Sequence, residues 1–324
     1  MDKYIFAYIN EDKNGIFRDL TSEAAKKIIT FLPSHKQFTN PCLDKVEKLC
    51  LSYQLNSRFH VPFQSVFYNL DSFDYETKNI YHMIIPTTSI SKFTESYLID
   101  FKKRHPNVKL YALVTDSLHA SSPHMNLVRD KLFSKVWDIV LTYDKYDAEE
   151  YGFTWFGYTY YSSFDYVKPD VIESDIYYVG YDKGGRSRII SDIYRYFQRG
   201  GVISRFDVVS SKKNTETGLH FLKQKISYPQ VVSKVKSTNC ILEILQEGQY
   251  QQSIRYFEAI IYNKKLLTNN KNVKNLPYFD ERYMRYFSSI TDIDFKWIKE
   301  KEDIKYNYDG RFSPLKILDF IANM

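Results

Sequence analysis

Glu258 occupies a position where a charged side chain calls for a chemical explanation. Residues 251–263, QQSIRYFEAIIYN, have the apolar spacing of a helix, which places Ile254, Glu258 and Ile261 on one face at intervals of four and three. A carboxylate between two isoleucines faces apolar surroundings, where an unpaired charge is costly. The spacing leaves two explanations open: the carboxylate accepts the two hydroxyls of a ribose, or it pairs with Arg255 three residues earlier.

A loop before an earlier helix has groups suited to phosphate. Residues 180–186, GYDKGGR, follow a predicted strand and precede a predicted helix. In that context Gly184 and Gly185 let the backbone approach a phosphate, the helix N-terminus offers free amides, and Arg186 adds positive charge. The loop is neither GxGxxG nor a Walker loop, so a tight turn with a solvated basic edge is the alternative.

A second polar loop precedes the helix that contains Glu258. Residues 246–253, QEGQYQQS, leave a strand and include the side chains of Gln249, Gln252 and Ser253. With a rise of ~1.5 Å per residue, Glu258 lies about 10 Å along the helix from Gln251. A diphosphate at the helix N-terminus and a ribose at Glu258 would therefore fit one nucleotide.

The elements around these loops alternate between strand and helix. Strands are predicted at DIYYVG, RFDVVSS, LHFLKQ, NCILEIL and KKLLTNN, and helices at RSRIISDIYRYFQRGG, SYPQVVSKVKST and QQSIRYFEAIIYN. This order is that of a parallel, Rossmann-like α/β domain, in which ligands bind at the carboxyl ends of the strands. Both polar loops are predicted at that edge.

The first half is less regular but also reads as α/β. KYIFAYI, IYHMIIP, VKLYALVTD and WDIVLTYD are predicted strands, whereas SEAAKKIITFL, DKVEKLCLSY and ESYLIDFKKRH are predicted helices. The third of these strands ends at Asp116, and His119 follows in the loop. Either side chain can take a proton from an attacking hydroxyl. The structural alternatives are a turn cap for Asp116 and an ordinary loop role for His119.

Length and composition limit the classes of protein that remain. The 324 residues exceed one average domain, which favours two. The formal net charge of +6 comes from 45 basic and 39 acidic residues without a nucleic-acid motif, so we predict no nucleic-acid partner. Three cysteines without a CxxC pair fit a reducing compartment, and no apolar run is long enough for a transmembrane helix. We expect a cytoplasmic protein.

Two further patterns each have a structural and a functional interpretation. The basic segments KKRHPNVK and KKNTETGLHFLKQK are typical of solvated faces, or they dock peripherally on anionic lipid at the inner face of the cell membrane. Asp292 and Asp294 form a DxD pattern that can hold a divalent cation. Thr291 before them and FKWIKEKE after them favour a helix N-cap instead, so we predict no metal site.

The segments VGYDKGGR and EILQEGQYQQSIRYFEAIIYNKKLLTNN together resemble bacterial glycosyltransferases of the GT-B type from capsule and surface-polysaccharide gene sets. Those proteins carry a VGxDKGR loop and a later segment of the form E(I/V)(L/V)QxGQxGLTxRxxEALxxxKKLITNN. The resemblance is close over the second half and looser in the first, through TDSLHASSPHM and TYDKYDAEEYGF. The sequence departs from the pattern at Gln251, Gln252 and Ser253, which stand where GLT is expected.

The resemblance implies an α/β, GT-B-like fold of two Rossmann-like domains with an interdomain cleft. Residues 1–165 would form the acceptor-side domain, residues 170–305 the nucleotide-sugar domain, and residues 306–324 a C-terminal helix that packs back on the first. It further implies hexosyl transfer from a UDP- or GDP-sugar to a glycan or polyprenyl-linked acceptor, with no metal or other cofactor. In an inverting enzyme Asp116, or His119 as second choice, would be the base; a retaining enzyme needs none.

The resemblance also gives the binding residues their roles. Glu258 would bind the donor ribose, and Ser227 and Tyr228 would lie near the base. The residues expected near the diphosphate are Gly184, Gly185, Arg186, Gln249, Gln252 and Ser253. A sugar-nucleotide epimerase of the same architecture and a non-catalytic carbohydrate- or partner-binding protein are the alternatives. The donor, the acceptor, the stereochemistry and the oligomeric state are left open.

Overall fold

The computed structural model divides the chain into two compact units. The first unit comprises Met1–Ser162 with Phe312–Met324, and the second comprises Ser163–Arg311. The structure describes residues 2–8, 15–22, 25–56, 59, 61–119, 123–157, 161–182, 186–210, 219, 221–246, 249 and 251–324.

Strands and helices alternate along most of the described chain. The strands are β1 (Asp2–Tyr8), β2 (Ile29–Pro33), β3 (Ile80–Pro86), β4 (Val108–Val114), β5 (Ile139–Thr142), β6 (Thr154–Trp155), β7 (Ser174–Tyr181), β8 (Ser204–Val209), β9 (Phe221–Leu222), β10 (Thr238–Glu243), β11 (Lys265–Thr268) and β12 (Met284–Tyr286). The α-helices are α1 (Pro41–Cys50), α2 (Tyr53–Asn56), α3 (Thr87–Ile90), α4 (Glu95–Arg104), α5 (Pro123–Leu132), α6 (Lys145–Tyr151), α7 (Ser187–Arg199), α8 (Tyr228–Ser237), α9 (Ile254–Ile261), α10 (Phe295–Lys299) and α11 (Lys316–Ala322). Short 3-10 helices cover Arg18–Thr21, Ala25–Lys27, Gln64–Phe67, Leu70–Ser72, Val273–Asn275 and Ile290–Asp292. Among the helices of the described ranges, none combines the length and the apolar composition that a membrane span requires.

The first unit is built on a parallel sheet. Its described strands pair in the order β2-β1-β3-β4-β5-β6. Alternate residues such as Ile5, Met83 and Leu110 are fully buried in the core cluster of this unit, as expected for a sheet covered on its faces. The C-terminal segment belongs to the same unit, where Ser313 Oγ donates a hydrogen bond to Asp19 Oδ2 at 2.5 Å. The loops after β4 and β5 leave the carboxyl edge of this sheet.

One predicted helix of the first unit is wrong. The spacing of SEAAKKIITFL predicts a helix, but the described part of this segment forms the 3-10 turn Ala25–Lys27 and then β2. Ile29 is buried, Thr30 is exposed and Leu32 is buried, which is largely the alternation of a half-buried strand. The β-branched run at its start and the parallel pairing with β1 outweigh the helix propensity of the preceding alanines and lysines.

The second unit is built on another parallel sheet, with the strand order of a doubly wound nucleotide-binding fold. Its described strands pair in the order β12-β11-β10-β7-β8-β9. Numbered within the unit and read from β9, this is the order 3-2-1-4-5-6. The order reverses between β7 and β10, which is where ligands bind in such sheets. The predicted α/β class with two Rossmann-like halves is confirmed.

Candidate functional site

A buried carboxylate joins the neighbouring strands β10 and β11 to the helix that follows β10. Glu243, the last residue of β10, accepts a hydrogen bond from Thr268 Oγ1 at 2.6 Å and one from the backbone N–H of Ser253 at 2.7 Å. Ser253 is the N-cap of α9 and accepts from the N–H of Arg255 at 3.2 Å. Burial raises the pKa of Glu243, while these hydrogen bonds act in the opposite direction. Glu243 therefore fixes where α9 begins relative to β10 and β11.

Glu258 lies one turn inside α9 and is completely buried. Arg255 Nη1 is 2.5 Å from its Oε2, and Tyr228 Oη donates to its Oε1 at 2.6 Å. The pair with Arg255 that the spacing left open is thus present, but it is buried, and it is joined by a tyrosine that the spacing could not indicate. Because Glu258 is completely buried and the Tyr228 hydroxyl lies on its Oε1, a ribose hydroxyl would reach the carboxylate by displacing Tyr228. The ribose role stays a prediction.

Tyr228 reaches Glu258 from the first turn of the neighbouring helix. Gln230 Oε1 accepts from the backbone N–H of Ser227 at 3.0 Å and from its hydroxyl at 2.9 Å, which fixes the start of α8. The Tyr228 ring lies 5.1 Å from the ring of Phe164. Of the two residues predicted near the nucleotide base, the structure brings Tyr228 to Glu258 and gives Ser227 a capping role.

Arg186 links the starts of the two predicted phosphate loops. Its Nη2 donates to the carbonyl of Tyr181 at 2.8 Å and its Nη1 to the carbonyl of Ile244 at 3.1 Å. These carbonyls lie at the ends of β7 and just after β10, so the guanidinium spans the switch point. The starts of the two loops are therefore adjacent, whereas Gly184 and Gly185 lie outside the described residues.

Gln249 and Gln252 differ in their surroundings. The N–H of Gln249 donates to the carbonyl of Gln246 at 3.1 Å. Gln252 is 1% exposed, and neither its Oε1 nor its Nε2 has a hydrogen-bond partner in the part of the chain that the structure describes. A buried amide with both atoms unsatisfied is rare in folded proteins.

The first unit places His119 in an acidic environment. Its Nε2 lies 3.4 Å from Asp147 Oδ1 and 3.2 Å from Glu150 Oε2. Asp147 is fully buried on α6, and its Oδ2 accepts from the N–H of Leu118 at 2.9 Å. Burial, chiefly, and then the charges of Asp144 and Glu150 raise the pKa of Asp147 to about 7, against the hydrogen bond from Leu118.

Asp116 and His119 are close in sequence but differ in setting. Asp116 is exposed two residues after β4, while His119 is half-buried against α6. Sequence reasoning missed Asp147 and Glu150. Their only local signal was the helical segment KYDAEEYGF, which follows Asp144. Asp144 caps this helix by accepting from the N–H of Tyr146 at 2.9 Å.

The DxD pattern has a structural role in the second unit. Asp294 is the N-cap of α10, accepts from the N–H of Lys296 at 2.9 Å and pairs with Arg285 at 2.8 Å. Asp292 accepts from the N–H of Ser289 at 2.8 Å in the preceding 3-10 turn. The N-cap interpretation is confirmed. No group of three or more His, Cys, Asp or Glu side chains in the described ranges could hold a metal ion.

Comparisons with known proteins give likenesses of fold but none of sequence. No family model matches the chain, and no curated protein matches it. Among solved structures, the UDP-GlcNAc 2-epimerase of Methanocaldococcus jannaschii in complex with UDP-GlcNAc and UDP has a TM-score of 0.48 at 10% identity over 100% of both chains. The glycotransferase of kitacinnamycin has a TM-score of 0.47 at 8% identity, over 99% of this chain and 98% of that one. The glycosyltransferase SnogD from Streptomyces nogalater gives 0.39 at 9% identity, over 100% and 96%. Likenesses of this size do not assign an activity.

Proposed function

We propose that the protein is a nucleotide-sugar-dependent glycosyltransferase of the GT-B type that works without a metal ion. The single observation that carries the proposal is the buried Glu258, held by Tyr228 and Arg255 beside the switch point of a doubly wound sheet. A nucleotide binds at this place in such sheets, and a carboxylate there matches the hydroxyls of a ribose. The second of the two segments that resemble capsule and surface-polysaccharide glycosyltransferases contains Glu258 and Arg255.

The donor would enter by exchange of hydrogen bonds. A ribose hydroxyl is a donor of the same kind as the Tyr228 hydroxyl, so it can take that place on Glu258 without leaving the carboxylate unpaired. Arg255 would keep its ion pair and hold the carboxylate in its charged form. The diphosphate would lie toward the N-terminus of α9 and Arg186, where positive charge stabilises the departing nucleoside diphosphate.

The acceptor would be activated in the first unit. We propose that His119 takes the proton from the acceptor hydroxyl as that hydroxyl attacks the anomeric carbon, and that Asp147 positions the imidazole. Asp116 is exposed after the same strand and is the competing base. We propose as acceptor a glycan or polyprenyl-linked intermediate of bacterial surface polysaccharide. The protein would bind it at the cytoplasmic face of the membrane.

Thermal unfolding with nucleotides tests the donor site. We expect a UDP- or GDP-sugar to raise the melting temperature, since a ligand at 100 times its Kd adds ~2.7 kcal/mol of stability. If UDP binds, 2′-deoxy-UDP is expected to bind about tenfold more weakly, because one hydrogen bond to a charged group is lost. Because UDP and 2′-deoxy-UDP are compared on the same wild-type protein, a difference in affinity cannot come from a change in folding.

Two outcomes would count against these assignments separately. If none of the UDP-, GDP-, CMP- or dTDP-linked sugars raises the melting temperature of the protein, the glycosyltransferase proposal fails. If a nucleotide binds but its 2′-deoxy form binds equally well, only the ribose role of Glu258 fails. Incubation with the donor alone adds a third readout, because isomerised sugar in the absence of acceptor would identify an epimerase instead.

A further inference from the structure

Gln252 has a buried side-chain amide next to the N-cap of α9. Its side chain is 1% exposed, and both amide atoms lack a partner among the described residues. The neighbouring Ser253 is half-buried and caps α9, so the amide lies one residue from accessible surface. In stable folded proteins an unsatisfied buried amide is selected against unless a ligand or a trapped water completes it.

A second unsatisfied group belongs to the same network. Asn270 is 2% exposed, and its Nδ2 has no partner among the described residues, although its Oδ1 accepts from the N–H of Asn272. The N–H of Asn270 donates to Thr268 Oγ1, which donates to Glu243, and Glu243 in turn accepts from the N–H of Ser253. Gln252 and Asn270 therefore lie at the two ends of one chain of hydrogen bonds at the carboxyl ends of β10 and β11.

The hydrogen-bonding chemistry of the amide oxygen and nitrogen of Gln252 limits which chemical groups of a ligand can satisfy them. A phosphate oxygen accepts hydrogen bonds, so it could satisfy an amide nitrogen but not Gln252 Oε1. A hydroxyl both donates and accepts, so it can satisfy either amide atom, and neighbouring hydroxyls can satisfy both. The arrangement matches a polyhydroxylated, uncharged group better than a diphosphate. Gln252 therefore fits a sugar better than the diphosphate near which the sequence places it.

We propose that Gln252, assisted by Asn270, binds hydroxyl groups of the transferred sugar and distinguishes a sugar-bearing donor from the bare nucleotide. The inference rests on the proposed function, since it presumes that a nucleotide sugar occupies the second unit. It also gives a physical reason for the departure at position 252, where the related pattern has leucine. Leucine has about the same size but offers no hydrogen bond.

Substitution Gln252→Leu separates ligand binding from folding. Without ligand, the variant is expected to melt about 2–4 °C higher than the wild type, because an unsatisfied buried amide is replaced by an apolar group of similar size. Binding of the nucleotide sugar found by thermal shift, probed with UDP-glucose, UDP-N-acetylglucosamine and GDP-mannose, is expected to weaken about tenfold. Binding of the matching UDP or GDP alone is expected to stay the same.

Gln64→Leu is the matched control for folding. Gln64 is 6% exposed, but its amide is satisfied, since it donates to Asn56 and accepts from the Tyr68 hydroxyl at 3.2 Å. This variant is expected to melt lower than the wild type. If Gln252→Leu also melts lower, a trapped water or a protein group satisfies Gln252 in solution and the inference is overturned.

The binding results distinguish this inference from the function on which it rests. Equal weakening of the nucleotide and the nucleotide sugar in Gln252→Leu would return the residue to the diphosphate and overturn the sugar role. Unchanged binding of both would overturn it as well. A wild-type protein that binds no nucleotide sugar at all would contradict the glycosyltransferase proposal first, and the sugar role with it.

Discussion

Replacing Arg255 with methionine is expected to destabilise the second unit by about 3–5 kcal/mol, because it leaves the carboxylate of Glu258 buried without its cation. Glu258 is completely buried and the side chain of Arg255 is 13% exposed, so solvent can compensate little of the loss. The hydrogen bond from Tyr228 remains but carries no charge. Urea denaturation, compared at the same pH for wild type and variant, measures the difference.

A surface pair of the same spacing provides the control. Arg195 and Asp192 lie three residues apart on α7 and approach to 2.7 Å, but both side chains are more than a third exposed. Arg195→Met is therefore expected to lower the free energy of unfolding by less than about 0.5 kcal/mol. If Arg195→Met and Arg255→Met lost the same unfolding free energy, burial would not make the ion pair of Arg255 with Glu258 more important for stability than a surface pair.

A double substitution tests whether the loss comes from the orphaned charge. Removing both partners, as in Arg255→Met with Glu258→Leu, is expected to recover most of the stability, since a well-packed apolar pair often replaces a buried ion pair at little cost. If the double variant were as unstable as Arg255→Met alone, the loss would come from packing around Arg255. Recovery of folding without recovery of nucleotide binding would separate the two roles of Glu258.

The sequence predicts local structure well where short-range signals agree. The strands β7, β10 and β11, the helix α9 and the caps at Ser227 and Asp294 follow from apolar spacing and from side chains that bond the first turn of a helix. The error at β2 came from a segment in which alanine and lysine favour helix while the following β-branched residues favour strand. Pairing with β1, which no local window contains, decided the outcome.

The candidate sites depend on contacts that the sequence does not encode locally. Glu258 was identifiable as anomalous, but its bond to Tyr228 joins residues 30 positions apart through the packing of neighbouring helices. Asp147 meets the loop after β4 in the same way, 29 positions from Leu118. The amide of Gln252 lacks a partner among the described residues, which is a property of their packing and leaves no local signal in the sequence.

His119 and Asp147 give the second large expected effect. If His119 is the base of the transfer reaction, His119→Ala is expected to lower kcat about 10²–10⁴-fold with little change in donor affinity. Asp147→Asn is expected to lower kcat less, and to shift the pH profile of kcat, because the amide cannot stabilise a protonated imidazole. Release of nucleoside diphosphate in the presence of acceptor measures both. A large loss in Asp116→Asn with normal turnover in His119→Ala would make Asp116 the base.

The raised pKa of Asp147 also predicts how Asp147→Asn changes the dependence of stability on pH. The folded protein holds the Asp147 proton up to a pKa of about 7, whereas the unfolded chain releases it near the ordinary value of 3.8. Between these values the folded state binds more protons, so the contribution of Asp147 to stability falls as the pH rises from about 4 to about 7. Asp147→Asn is expected to remove that slope and to be more stable than the wild type at pH 8.

Glu149→Gln is the matched control on the same helix, since Glu149 is exposed and pairs with Lys145 at 3.6 Å. It is expected to leave both the pH dependence of stability and the turnover unchanged. A variant Asp147→Asn that loses turnover but keeps the wild-type slope of stability against pH would contradict the raised pKa. One that loses the slope but keeps the wild-type turnover and pH profile would show that the buried carboxyl serves the fold and not the imidazole. Only loss of the slope together with a shifted pH profile ties Asp147 to proton transfer through His119.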